Sequence, residues 1–331
     1  MLVATAQAAL YRDPDVYDRE RRSIFARAWQ FLGLEADVAN PGDYIAETLA
    51  GFPIVAVRGQ GGELRAFHNV CRHRAGPLVG EAAGRCEGEF VCRYHGWRYA
   101  LDGRLKSATG FGAAEGFDPR DFGLFPVKIE AWRGFLFVNP DPDAAPLMET
   151  LGPLDVLFGN RAVPSASLRS GHDLDCNWKV YVENYLEGYH IDAVHPELAR
   201  EVDAARYAVR MEGAIAVHEV PAVSGAAEGL WAWMYPNLAF NLYNGVVMVE
   251  HMRPLGHGRT RLDYLYMHEA GDPQIDAAIV TSERLTAEDA WICARVQQNL
   301  DAGVYTAGAL SPRHENAVAW FQARNAQLMA G

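Results

Sequence analysis

Two short segments each offer one sulfur and one imidazole. They read Cys71-Arg72-His73-Arg74-Ala75-Gly76-Pro77 and Cys92-Arg93-Tyr94-His95-Gly96-Trp97, with eighteen residues between His73 and Cys92. Mixed pairs of this kind suit an asymmetric [2Fe–2S] centre, in which two Cys hold one iron and two His the other. Imidazole is neutral where thiolate is anionic, so such a centre accepts an electron more readily than a four-Cys one. Gly76, Pro77 and Gly96 let the backbone turn tightly around a buried group. A structural zinc site is the rival, since two Cys and two His also suffice for it. Zinc-binding sequences usually pair Cys with Cys and His with His, so the mixed order favours the cluster.

A second set lies in Asn177-Trp178-Lys179-Val180-Tyr181-Val182-Glu183-Asn184-Tyr185-Leu186-Glu187-Gly188-Tyr189-His190-Ile191-Asp192-Ala193-Val194-His195-Pro196. His190 and His195 are five residues apart, about 140° around an ideal helix. They can meet on one ion only where the helix distorts or ends between them, and Pro196 stands where an ending would fall. Two His and one carboxylate make the facial triad of non-haem Fe(II) oxygenases, with positions left open for O2 and substrate. A His pair at this spacing is by itself more often core or surface than ligand. The four-ligand motif upstream is what favours ligation.

The elements that must position these groups divide the chain. Residues 10–34 carry Val16, Ile24, Phe25, Trp29 and Phe31 at roughly helical spacing. From Tyr44 to Val138 short β segments alternate with Gly-rich turns, as in a small antiparallel domain. Asn139-Pro140-Asp141-Pro142 with Ala144-Ala145-Pro146 marks a boundary. Beyond it the pattern predicts a helix over 178–195, strands over 204–220, 230–251 and 260–268, and a long helix over 274–300. A last helix is predicted from Ser311-Pro312. The expected domains are an N-terminal helical segment (1–35) packing on the catalytic domain, a cluster domain (36–150) and a catalytic domain (151–331). The fold class is α+β.

Half of the 331 residues are hydrophobic and 22% are charged, enough apolar material for two cores. A net charge of −12 argues against nucleic-acid binding. No apolar run is long enough for a membrane-spanning helix and no secretory signal opens the chain, so the expected location is the cytoplasm. Five Cys fit ligands plus spare thiols, with Cys86, Cys176 and Cys293 read as small buried residues. Arg72, Arg74, Arg93 and Arg98 flank the cluster ligands. They are either solvated surface groups or a basic patch guiding an acidic electron donor. No G-x-G-x-x-G follows a strand, which places nicotinamide binding on another protein.

On these motifs the chain resembles the α subunit of Rieske non-haem iron oxygenases over nearly its whole length. The matching stretches are the two Cys/His loops, Asn177-Trp178-Lys179, Glu183-Asn184-Tyr185 and Glu187-x-Tyr189-His190-x4-His195-Pro196. The resemblance implies an antiparallel β Rieske domain and a helix-on-antiparallel-sheet catalytic domain of helix-grip type. It implies a [2Fe–2S] cluster on Cys71, His73, Cys92 and His95, and a mononuclear Fe(II) on His190, His195 and an Asp of a C-terminal helix. Glu288-Asp289 resembles that last segment, so Asp289 is the expected third ligand, ahead of Asp276 and Asp301. Glu187 would connect the two metal centres across a homotrimer interface, Asn184 would lie near the iron without strong ligation, and Asp192 would stand outside the ligand set. Electrons would come from a ferredoxin or an NAD(P)H-dependent reductase.

The Glu at 187 is similar to that of members oxidising quaternary amines, with Trp231, Trp233, Tyr235, Phe240 and Tyr243 as candidates for an aromatic cage. Those same aromatic residues would equally serve as core, or as stacking surfaces in an aromatic-ring hydroxylase or O-demethylase. A Rieske electron carrier without oxygenase activity would need only the first motif.

Overall fold

The computed structural model describes residues 2–204, 206–220, 230–243 and 245–330, with the side chain of Tyr243 outside the description. The chain forms two compact units: Phe25–Leu147, and Met1–Ile24 together with Met148–Gly331.

In the Phe25–Leu147 unit a seven-stranded antiparallel sheet runs in the order Gln30–Leu34, Phe135–Asn139, Pro126–Trp132, Leu64–His68, Phe52–Arg58, Asp43–Leu49, Ala83–Arg85. A three-stranded sheet holds Glu89–Val91, Arg98–Ala100 and Leu105–Ser107. One core cluster of this unit contains Cys71, Cys92, Trp97 and Tyr99 among Phe67, Phe90 and Leu101, so the thiols are sunk in apolar surroundings. The helical segment expected over 1–35 ends sooner. Residues 30–34 are a strand, because Phe31 and Leu34 bury against the strand Phe135–Asn139.

The other unit opens with α1 (Ala9–Arg12) and α2 (Pro14–Glu20). After α3 (Leu147–Phe158) comes the strand Ala166–Leu174, then α4 (Trp178–Tyr185) and the single turn α5 (Ile191–Val194). The remaining strands and the long α6 (Ile275–Asp301) follow, and α7 (Asn316–Ala330) closes the chain, starting five residues later than Ser311. The sheet is antiparallel throughout, ordered Ala166–Leu174, Arg259–His268, Val246–Gly256, Leu238–Tyr243, Leu230–Met234, Ile215–Glu219, Ala208–Glu212.

The helices are tied by buried polar groups. Asn177 caps α4 by accepting from Lys179 N at 3.0 Å, while its amide donates to Tyr11 O at 3.0 Å. The Lys179 ammonium meets Glu20 at 2.5 Å, and the Trp178 indole donates to the other oxygen of Glu20 at 2.8 Å. The Asn-Trp-Lys triplet thus serves to fix the N-terminal helices to α4. All five Cys are free, Cys176 and Cys293 buried and Cys86 half-buried.

The single helix expected over 178–195 is broken. α4 stops at Tyr185, Gly188 lies in the gap, and His190 and His195 flank the one turn of α5. Gly188 is required there because the Tyr207 ring would stand 2.5 Å from a Cβ at that position.

Candidate active site and metal centres

The two Cys/His loops share one construction. Cys71 N donates to Gly76 O at 2.8 Å and Ala75 N to Cys71 O at 3.0 Å; Cys92 N donates to Trp97 O and Gly96 N to Cys92 O, both at 2.9 Å. Each loop turns through a left-handed residue, Ala75 (φ 55°) or Gly96 (φ 72°). Gly76 is dictated by close approach, since a Cβ there would sit 3.0 Å from Cys92 Sγ. The sulfurs lie buried and the imidazoles outermost, with Trp97 stacked on His73 at 5.0 Å.

His73 Nδ1 and His95 Nδ1 converge to 3.1 Å. That is the separation of two nitrogens each about 2 Å from one ion at a near-right angle. Four donors on a single tetrahedral zinc would all lie within roughly 3.8 Å of one another. Among the described residues, however, His190, His195 and Asp289 form the group of three or more His, Cys, Asp or Glu donors that come within 4.8 Å of one another. The quartet is divided into a sulfur end and a nitrogen end. The donor set therefore fits a two-iron cluster and not one zinc.

The sulfur end carries a further contact. The Tyr99 hydroxyl lies 3.2 Å from Cys71 Sγ and accepts from Arg72 N at 3.1 Å, which leaves its proton for the sulfur. Of the flanking arginines, Arg98 is paired with Glu89, Arg72 donates to Gly123 O and lies over Phe125, and Arg74 lies over Tyr94. Arg93 is exposed.

The second centre is built by α4, α5 and α6. His190 Nε2 and His195 Nε2 face Asp289 Oδ1 at 3.7 and 3.1 Å. Asn184 donates to the same oxygen at 2.7 Å, which places this residue against the carboxylate. The outer ring nitrogens are each held by a carboxylate: His190 Nδ1 by Glu187 Oε1 at 2.6 Å, and His195 Nδ1 by Glu288 Oε2 at 2.7 Å. Glu187 is pinned in turn, its Oε2 accepting from Tyr189 N and from His190 N. Carboxylates on Nδ1 set both Nε2 atoms toward the space shared with Asp289, as metal-binding imidazoles require. Burial pushes the His195 pKa down, but hydrogen bonds to Asp289 and Glu288 outweigh it and raise it. Asp192, Asp276 and Asp301 are exposed and stand outside this group.

The expected cage does not form as one cluster. Phe240 pairs with Ala232 and Trp231 with Asn241, so Phe240 lies on the opposite sheet face from Trp231 and Trp233. Trp233 meets Phe321 edge-on at 5.7 Å, and Tyr235 meets Trp320 at 5.9 Å, so both are core against α7. Trp231 lies 6.5 Å from Tyr207, and the Tyr243 side chain is outside the described residues.

Sequence reading missed Glu288 and Glu250. Glu250 is 3% exposed, on the sheet face that packs under α4 and α6, and accepts from Tyr181 at 2.7 Å and Tyr264 at 3.0 Å. Burial pushes its pKa up to about 7 against those hydrogen bonds. An acidic residue in a strand otherwise apolar around it (Val246-Val247-Met248-Val249-Glu250) was the available signal.

Comparison with known proteins places the same two regions. Residues 28–118 match the Rieske [2Fe-2S] domain family, and residues 165–331 the ring hydroxylating alpha subunit (catalytic domain) family. Chloroplastic choline monooxygenase of Beta vulgaris is 31% identical over 92% of this chain and 72% of its own. The carnitine monooxygenase oxygenase subunit of Escherichia coli K12 is 30% identical over 78% of this chain and 74% of its own. The crystal structure of the quaternary ammonium Rieske monooxygenase CntA with substrate L-carnitine superimposes with a TM-score of 0.86 at 28% identity, covering 99% and 96% of the two chains. Naphthalene 1,2-dioxygenase from Rhodococcus shares the fold, with a TM-score of 0.77 at 20% identity over 97% and 93%.

Proposed function

The chain belongs to the ring-hydroxylating α-subunit family of Rieske oxygenases, and on that premise we propose that it oxidises a small quaternary amine of the choline or betaine type. It is a Rieske non-haem iron oxygenase with a [2Fe–2S] cluster and a mononuclear iron as cofactors. On our reading Cys71, His73, Cys92 and His95 hold the cluster, and His190, His195 and Asp289 the iron. The observation that carries the site is the convergence of those last three donors within 4.8 Å, with both imidazoles held at Nδ1 by carboxylates. The substrate class is supported by two curated relatives, named for choline and carnitine, that align over most of this chain. A pure electron carrier has no use for the second donor group.

When bound, the iron activates O2 and the cluster holds an electron for it. The residues have simpler tasks. Glu187 and Glu288 hold the Nδ1 protons of His190 and His195, fixing tautomer and ring direction. Asn184 holds Asp289 Oδ1.

The subunits would assemble as a homotrimer, in which Glu187 also accepts from a cluster-ligand His of the adjacent subunit. A separate ferredoxin or NAD(P)H-dependent reductase would dock near Arg74 and Arg93. No helix among the described residues is long and apolar enough to cross a membrane. The cytoplasm is our proposed location.

The test is oxidation of the chemically reduced cluster by O2, followed in the visible spectrum with choline, carnitine, γ-butyrobetaine and simple aromatic compounds. A quaternary amine should accelerate it and yield an oxidised product. Acceleration by aromatic compounds alone would overturn the substrate assignment. Glu187→Gln should keep both metals and lose most of the coupled turnover; normal turnover would remove its bridging role.

A further inference from the structure

Glu250 is a carboxyl in the wall of the catalytic layer, without a counter-ion among the described residues. It pairs in register with Tyr264 on one neighbouring strand and Ala239 on the other. Tyr181, which donates to it, lies one helical turn before Asn184 and Tyr185 on α4. Thr286, bonded to Tyr264 at 2.8 Å, lies one turn before Asp289 on α6. Glu250 is therefore linked, through Tyr181 and through Tyr264 and Thr286, to the helical turns that carry Asn184 and Asp289. The charge on Asp289 adds to burial in raising its pKa, as expected at short range.

Both tyrosine hydroxyls donate to Oε1. Among the described residues nothing donates to Oε2, and no Lys, Arg or His pairs with this carboxyl. A buried carboxylate without a cation is costly, and Gln or Leu would fill the position at lower cost to folding.

We propose that Glu250 is the anionic anchor for the substrate's cationic head, with Oε2 facing the alkylammonium group and Tyr181 and Tyr264 fixing Oε1. The inference rests on the quaternary-amine reading and deepens it to a residue. A quaternary ammonium has no N–H to donate, so charge in a poorly screened site and aromatic contact are the means of recognising it. A free Oε2 suits such a partner, because the attraction needs no hydrogen-bond geometry. It also ranks ligands: a neutral molecule of the same shape gains nothing from the carboxylate.

The probes are choline and its uncharged carbon isostere 3,3-dimethyl-1-butanol, bound to the fully loaded enzyme and measured by calorimetry. The wild type should prefer choline by tenfold or more. Glu250→Gln, with unchanged iron content and cluster spectrum, should bind choline ten- to a hundredfold more weakly and the isostere within twofold of wild type. Glu250→Asp keeps the charge and should keep the preference for the cation. An unchanged preference in Glu250→Gln, or equal loss of both ligands, would overturn the anchor. Should that variant fail to fold, a preference for choline over the isostere in both the wild type and Glu250→Asp supports the anchor, and its absence from either overturns it. A wild type that binds neither choline nor carnitine removes the quaternary-amine reading itself, a result distinct from all of these.

Discussion

On the proposed ligand assignment, Tyr99 and Glu288 are single side chains that adjust a metal ligand from outside. Tyr99 presents its hydroxyl to Cys71 Sγ at 3.2 Å in a fully buried setting. A donor to a thiolate favours the more negative, reduced cluster. Tyr99→Phe should lower the reduction potential by a few tens of millivolts, the equivalent of about 1 kcal/mol for one hydrogen bond; an unchanged potential in a spectroelectrochemical titration would refute this. Glu288 has the corresponding place on His195. Glu288→Gln should weaken iron retention by about 10- to 100-fold while leaving the cluster spectrum intact, as read by iron content after dialysis against a chelator. Equal retention would show that the carboxylate only packs.

At the scale of elements, the break between α4 and α5 makes the site. An unbroken helix would hold His190 and His195 about 140° apart. Ending α4 at Tyr185 and restarting at Ile191 lets both Nε2 atoms reach one Asp289 oxygen. Gly188 permits that path because Tyr207 fills the space beside it. Gly188→Ala should cost about 1–3 kcal/mol of overpacking and displace the His190 turn. The expected result is loss of the mononuclear iron with a normal cluster; full iron occupancy would count against it.

At the scale of the whole molecule, buried titrating groups of the catalytic unit offset one another. Burial lowers His218 and His251 to about 3, so as pH falls below about 6.5 the unfolded chain takes up protons that the folded unit refuses. That lowers stability. Glu183 and Glu250 are raised to about 7 by burial, so they bind protons first in the folded state, and their contribution grows as pH falls from 7 toward the ordinary carboxylate range. Between roughly pH 4.5 and 6.5 two groups oppose two, and their sum is nearly flat. Glu183→Gln removes one of the compensating carboxyls while keeping an acceptor for Tyr11. Stability of that variant should fall by up to about 1.4 kcal/mol for each pH unit below 6.5. A urea midpoint as flat as that of the wild type across the window would contradict the offset.

The Cys/His loops were legible because their information is local. Four candidate donors in two short segments, with Gly and Pro at the turns, point to both chemistry and backbone path within a few residues. Strand alternation and the long C-terminal helix were legible for the same reason, as periodic patterns. The aromatic residues from Trp231 to Tyr243 were not, since strand register decides which face each one takes, and register depends on distant partners. Nor was the pairing of Glu288 with His195, or the setting of Glu250 between two tyrosines from different elements. Local sequence pattern was enough to place the Rieske and catalytic regions along the chain and to propose the donors in each. Only the tertiary structure shows which carboxylates brace the candidate ligands and which carboxyl is buried between two tyrosines, because hydrogen-bond partners and dielectric surroundings come from segments far apart in the chain.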